Sequence, residues 1–156
     1  MAKFSIEISY SQLAVFDPQL PTPFNNWTNE HVAQGFSWRP GSVSFGTLEV
    51  AGALATEVFR TKPFDETASL AERTILVPFS VPAHGSVEIS SIDGGAVADI
   101  PPGEYELIFE HGWDSERHMW ANLYFRQVAS PVVPRVIRAD AELHPPAVFL
   151  MTAKPA

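Results

Sequence analysis

Apolar and polar residues alternate with period two along most of this chain, the period of half-buried β-strands, whose successive side chains point to opposite faces. Phe4, Ile6, Ile8 and Tyr10 alternate with Lys3, Ser5, Glu7 and Ser9, and Leu13 to Phe16 continues the sheet after a short break. Ile75, Val77, Phe79 and Val81 alternate with Thr74, Leu76, Pro78 and Ser80. Pro78 has no N–H to give to a ladder, which predicts a sheet edge for this strand. Tyr105, Leu107 and Phe109 alternate with Glu104, Glu106, Ile108 and Glu110, predicting a buried aromatic face and a carboxylate face in water. Met119, Ala121, Leu123 and Phe125 oppose Trp120, Asn122, Tyr124 and Arg126 in a long strand expected to pair antiparallel with the acidic one. Further strands are expected over Leu54 to Arg60, Ser86 to Ile92, Ala96 to Ile100, Ile137 to Leu143 and Val148 to Ala153.

The breaks between these runs carry their own chemistry. Pro18, Pro21 and Pro23 fix φ and remove donors, so Asp17 to Phe24 is an extended loop that no helix can cross. Thr28 before Asn29, Glu30 in the first turn and Gly35 just beyond predict one short helix. Across Gly46 the apolar parity moves from Val43 and Phe45 to Leu48 and Val50, which a bulge would produce. Asp93-Gly94-Gly95 tolerates positive φ and predicts a tight hairpin; Pro101-Pro102-Gly103 turns the chain into the acidic strand. About eight to ten short strands with one helix predict an all-β fold, an antiparallel β-sandwich or partly open barrel, with residues 1–156 forming a single domain.

Composition adds exclusions. A hydrophobic fraction of 46% with eleven Phe and four Trp suits a packed globule and excludes whole-chain disorder. The absence of cysteine removes disulfides, thiolate metal sites and cysteine nucleophiles together. No run approaches the ~20 apolar residues of a spanning helix, so a cytoplasmic protein without membrane insertion is expected. Homo-oligomerisation is left open.

Charge is unevenly placed. Thr74 to Glu116 contains no lysine or arginine but holds Glu88, Asp93, Asp99, Glu104, Glu106, Glu110, Asp114 and Glu116, which together equal the net charge of −8. Solubility accounts for a charge of this size without any partner. The sharper reading is a negative surface that steers a cationic protein toward it and repels bare nucleic acid.

Candidate chemistry is sparse. Glu110-His111-Gly112-Trp113-Asp114-Ser115-Glu116-Arg117-His118 gathers two histidines and three carboxylates, but at no metal-motif spacing, and a solvated turn collects the same residues. No Gly-x-Ser-x-Gly elbow or phosphate loop is present, so no catalytic residue, metal ligand or cofactor is assigned. The partner-binding candidates are Glu104, Glu106, Glu110, Asp114 and Glu116 for their charge, and Trp120 because it falls opposite the apolar set.

The order of motifs adds a resemblance. Ile8-Ser9-Tyr10-Ser11-Gln12-Leu13-Ala14-Val15-Phe16-Asp17, then Trp27-Thr28-Asn29-Glu30, Gly35-Phe36-Ser37-Trp38, Gly41-Ser42-Val43-Ser44-Phe45, Val77-Pro78-Phe79-Ser80-Val81 and Ile100-Pro101-Pro102-Gly103-Glu104-Tyr105-Glu106-Leu107 together resemble the competence protein J family. The likeness runs from about residue 6 to the end. It implies a small non-enzymatic protein that binds and restrains a DNA-degrading nuclease of DNA uptake, and it assigns no residue a role. An acidic face occluding a basic DNA-binding cleft would suit that function. A carbohydrate- or peptide-binding sandwich using exposed aromatics is the alternative, and a metal-assisted enzyme on the 110–118 turn a third.

Overall fold

The computed structural model describes residues 2–156 as two β-sheets packed face to face. In chain order the elements are β1 (Ala2–Ile8), β2 (Gln12–Phe16), α1 (Asn29–Gln34), β3 (Phe36–Arg39), β4 (Ser42–Gly46), β5 (Gly52–Phe59), β6 (Arg73–Val81), β7 (Ser86–Ser91), β8 (Gly94–Asp99), β9 (Gly103–Trp113), β10 (Met119–Val128) and β11 (Arg135–Arg138), with a 3₁₀ turn at Glu66–Ala68. The six-stranded sheet runs β1-β5-β10-β9-β6-β11 and the five-stranded sheet β3-β4-β2-β7-β8. All pairings are antiparallel except β5 with β10. Neither sheet closes on itself, so the sandwich reading holds.

The core lies between the sheets and is filled by the inward halves of the alternating strands. Phe109 of β9 stacks on Phe45 of β4 with ring centroids 4.5 Å apart, one face-to-face contact bridging the two layers. Tyr105 and Leu107 point the same way, as expected, and so do Ala121, Leu123 and Phe125 of β10. A smaller apolar group, Phe59, Leu76, Ile108 and Tyr124, lies on the outer side of the six-stranded sheet beneath Phe64, Val132 and Ile137. Ile108, read as facing water, is therefore buried, because the loop residues Phe64 and Val132, with Ile137 of β11, lie over it.

The helix forms as its ends dictate. The His31 backbone N–H donates to Thr28 Oγ1, and the Thr28 N–H donates to His31 Nδ1 at 3.0 Å, a reciprocal cap with histidine in the usual glutamate position. Gly35 ends it at φ 89°, where a Cβ would stand 2.8 Å from Ile75 Cδ1.

Several strand expectations change. The strand with Pro78 is flanked on both sides, by β9 and β11, but β11 pairs only with Thr74 to Leu76. Pro78 lies beyond that short ladder and its carbonyl accepts the Trp38 indole N–H at 2.8 Å, so the missing donor is tolerated without an edge strand. Gly46 ends β4 and starts a bend instead of a bulge. The hairpin turns at Ile92-Asp93, one residue early, with Ser91 opposite Gly94. The strand expected over Ile137 to Leu143 lies earlier and is shorter: β11 covers Arg135–Arg138, with a register slip between Val136 and Arg138. Val148 to Ala153 forms no strand: it is held at single points, through Leu150 on the Gln34 side chain and Ala153 on the Trp38 carbonyl.

Candidate functional site

The candidate residues sit on one hairpin. β9 and β10 pair over their full length, with Glu104 opposite Val128, Glu106 opposite Arg126, Glu110 opposite Asn122 and Gly112 opposite Trp120. Since Tyr105, Leu107 and Phe109 fill the core, the even-numbered acids face outward from the six-stranded sheet. Glu104 and Glu110 are six residues apart, about 20 Å along the strand, so the acids form a line and not a cluster.

Their environments differ. Glu104 is half-buried and accepts from the Ser80 hydroxyl at 2.7 and 2.6 Å. Glu106 lies 3.3 Å from the Arg126 guanidinium, across the ladder. The base-free stretch is thus base-free only in sequence: the strand register brings an arginine from β10 against it. Glu110 departs furthest from expectation. It is 5% exposed, where water was expected. Ser69 Oγ donates to its Oε2, and Asn122 Nδ2 (2.9 Å) and the Tyr124 hydroxyl (3.3 Å) donate to its Oε1. Burial, with the Glu110 charge beside it, pushes the Tyr124 phenol up to about 12, so that hydroxyl remains a donor at neutral pH.

The turn joining the strands is built by Asp114. Its Oδ1 accepts the backbone N–H groups of Glu116 (2.8 Å) and His118 (2.9 Å), the His118 bond first among the causes that hold the carboxyl below the ordinary aspartate range. Arg117 takes φ 65° and lies 4.6 Å over the Trp113 ring. Glu116 is exposed. His111 points into the core: its Nδ1–H donates to the Trp120 carbonyl at 2.7 Å and its Nε2 accepts the Leu48 N–H at 3.0 Å. Burial drives its pKa down to about 4, so the ring is neutral at pH 7. Glu110, His111 and Asp114 therefore serve three separate environments. Among the described residues no group of three or more His, Asp or Glu is placed to hold a metal ion.

Trp120 is half-buried and, with Glu110, Asn122 and Tyr124, lines an open groove of about 780 Å³ on the outer face. Ala55 of β5 and Leu70 of the loop after β5 form its other apolar walls. Sequence reasoning placed Trp120 and Asn122 on this face through their parity. It missed Ser69, Leu70 and Lys62, which come from a loop whose position over the sheet has no periodic signal.

A model of the competence protein J family matches residues 5–126. The DNA-entry nuclease inhibitor of Bacillus subtilis (strain 168) is 32% identical over 103 residues, which cover 65% of this chain and 75% of that protein. The crystal structure of ComJ, inhibitor of the DNA degrading activity of NucA, from Bacillus subtilis superposes with a TM-score of 0.68 at 22% identity, covering 82% of this chain and 96% of the other.

Proposed function

The chain belongs to the competence protein J family, and we propose that it binds a DNA-degrading nuclease and restrains it, with no catalytic activity of its own. The reading is carried by the span of the family match, which reaches from β1 into β10 and takes in the whole base-free stretch. A nuclease that grips DNA must present cationic groups where phosphates lie, and carboxylates offered to the same groups compete for them. Glu104, Asp114 and Glu116 suit that task, being outward-facing acids of the β9–β10 hairpin with no lysine or arginine within ion-pair distance among the described residues. Glu106, already beside Arg126, contributes less, and Trp120 supplies an apolar contact. The same charge keeps bare nucleic acid away.

The test is a calorimetric titration, without DNA, against the purified DNA-entry nuclease of the same organism at about 0.05 M and 0.5 M salt. Exposed charges are screened over ~10 Å at 0.1 M, so binding is expected at both concentrations and weaker at the higher. No binding at either would defeat the inhibitor reading. Tight binding indifferent to salt would keep the inhibitor and remove the exposed acids Glu104, Asp114 and Glu116 from the interface.

A further inference from the structure

We propose that the groove containing Glu110 is a receptor for one cationic side chain, an arginine guanidinium or a lysine ammonium, presented by the protein partner. This rests on the reading of the chain as a nuclease-binding protein, and it names the contact that holds the complex once formed.

Three neutral donors and no acceptor surround Glu110: the hydroxyls of Ser69 and Tyr124 and the Asn122 amide. That set matches an ionised carboxylate, which only accepts. The group is 5% exposed, yet no lysine, arginine or histidine nitrogen stands within 4.0 Å of it among the described residues; the five ion pairs all lie elsewhere. Buried carboxylates are ordinarily paired with a cation, because three neutral hydrogen bonds replace only part of the lost hydration.

The cations near the groove are engaged with other groups. Lys3 Nζ lies 3.9 Å from Glu57, and Lys62 Nζ sits 4.6 Å over the Phe59 ring. Arg138 reaches the same loop from behind, donating to the carbonyls of Ser69 and Ala71 at 3.0 and 2.8 Å. The open side of Glu110 faces the groove alone.

The walls suit a long cationic side chain as well as its head. Leu70 stands 85% exposed at the rim, and Ala55 and Trp120 line the cavity, giving an apolar path for an aliphatic stem and, at Trp120, a ring face for a guanidinium. The carboxylate is already fixed by its three donors, so docking orders little on this side.

Two measurements test the site, each informative without the other. In the first, N-acetyl-arginine amide is titrated into the protein and the Asn122 side-chain amide and Trp120 indole signals are followed by NMR. N-acetyl-citrulline amide, equal in shape and uncharged, is the control. Shifts with the arginine compound, absent with citrulline and absent in Glu110→Gln, are expected. In the second, dissociation of the nuclease complex is timed for the parent chain and Glu110→Gln, with at least about 30-fold faster release expected for the variant. That difference should persist at 0.5 M salt, since a buried pair is little screened. Should Glu110→Gln fold poorly, Trp120→Leu, which leaves all three bonds to Glu110 in place, is expected to reduce the arginine-induced shift at Asn122. Absence of arginine-specific shifts together with unchanged release from a folded Glu110→Gln overturns the site while leaving the inhibitor intact. Arginine-specific shifts without nuclease binding would uphold the site and defeat the inhibitor reading.

Discussion

The outer faces of the two sheets are finished in opposite ways. The β3-β4-β2 part of the five-stranded sheet is covered by its own chain, while β7 and β8 stay open. Asn25 Nδ2 donates to the carbonyls of Ser37 (2.8 Å) and Ser42 (3.1 Å), its Oδ1 accepts from Arg39 Nε at 2.7 Å, and Phe24 lays its ring against Phe16 at 5.5 Å. The carboxy-terminal tail closes over the same segment through reciprocal bonds between Asn26 and Lys154. The three prolines of Asp17 to Phe24, which forbid a helix, keep this cover extended along the strands it satisfies. The six-stranded sheet is covered only in the middle, over Ile108 and Tyr124, leaving Glu104 near one end and the Glu110 groove toward the other. The contrast separates two uses of polar residues: on the closed face they satisfy buried backbone, on the open face they stand ready for another molecule.

The inner boundary shared by both sheets carries the largest effect. Phe109→Ala removes the stacked partner of Phe45 from a fully buried site and should lower stability by ~3–5 kcal/mol in urea unfolding. An unchanged midpoint would mean that β9 is inside out and the two faces are misassigned.

Next comes acid. His111 has a folded pKa of about 4 against an ordinary value near 6.5, so the unfolded chain binds its proton first. Its contribution is present above pH 6.5 and is lost as pH falls toward 4, by ~3 kcal/mol at most. His31, also depressed by burial, acts in the same direction. A urea titration from pH 7 to 4 should show this slope, reduced in His111→Gln; equal slopes would contradict a buried neutral imidazole.

Smaller again is Asn25→Ala on the closed face, which strands two buried carbonyls and should cost ~1–3 kcal/mol of stability. Nuclease affinity should not move. A variant that stays folded but loses the nuclease would place the partner on the wrong sheet.

Much of this architecture was legible because β-strands declare their faces at period two. Tyr105, Leu107 and Phe109 fell inward as read, and Trp120 and Asn122 outward. The same rule failed at Glu110 and Ile108, because periodicity assigns a side of the sheet and is silent about what crosses it. Ser69, 41 residues earlier in the chain, is what buries Glu110. Likewise the base-free stretch met Arg126 through cross-strand register, a relation that linear charge counting does not contain. The carboxy-terminal segment, expected as a last strand over Val148 to Ala153, had no ladder to join, and hydrogen bonds between Leu150 and the Gln34 side chain and from Ala153 to the Trp38 carbonyl place it instead.

The smallest effect is also the most direct test of the claim that the open face meets the nuclease. Glu104→Gln with Glu116→Gln and, separately, Glu88→Gln with Asp99→Asn remove equal charge from the same acidic stretch, the first pair from the open hairpin and the second from β7 and β8 of the other sheet. Association with the nuclease would be timed by stopped flow at low salt. The first pair should slow association roughly threefold or more, since rim charges act on the on-rate, and the second should leave it near the parent value. Equal slowing by both would reduce the acids to net charge alone, and slowing by the second pair only would move the interface to the five-stranded sheet.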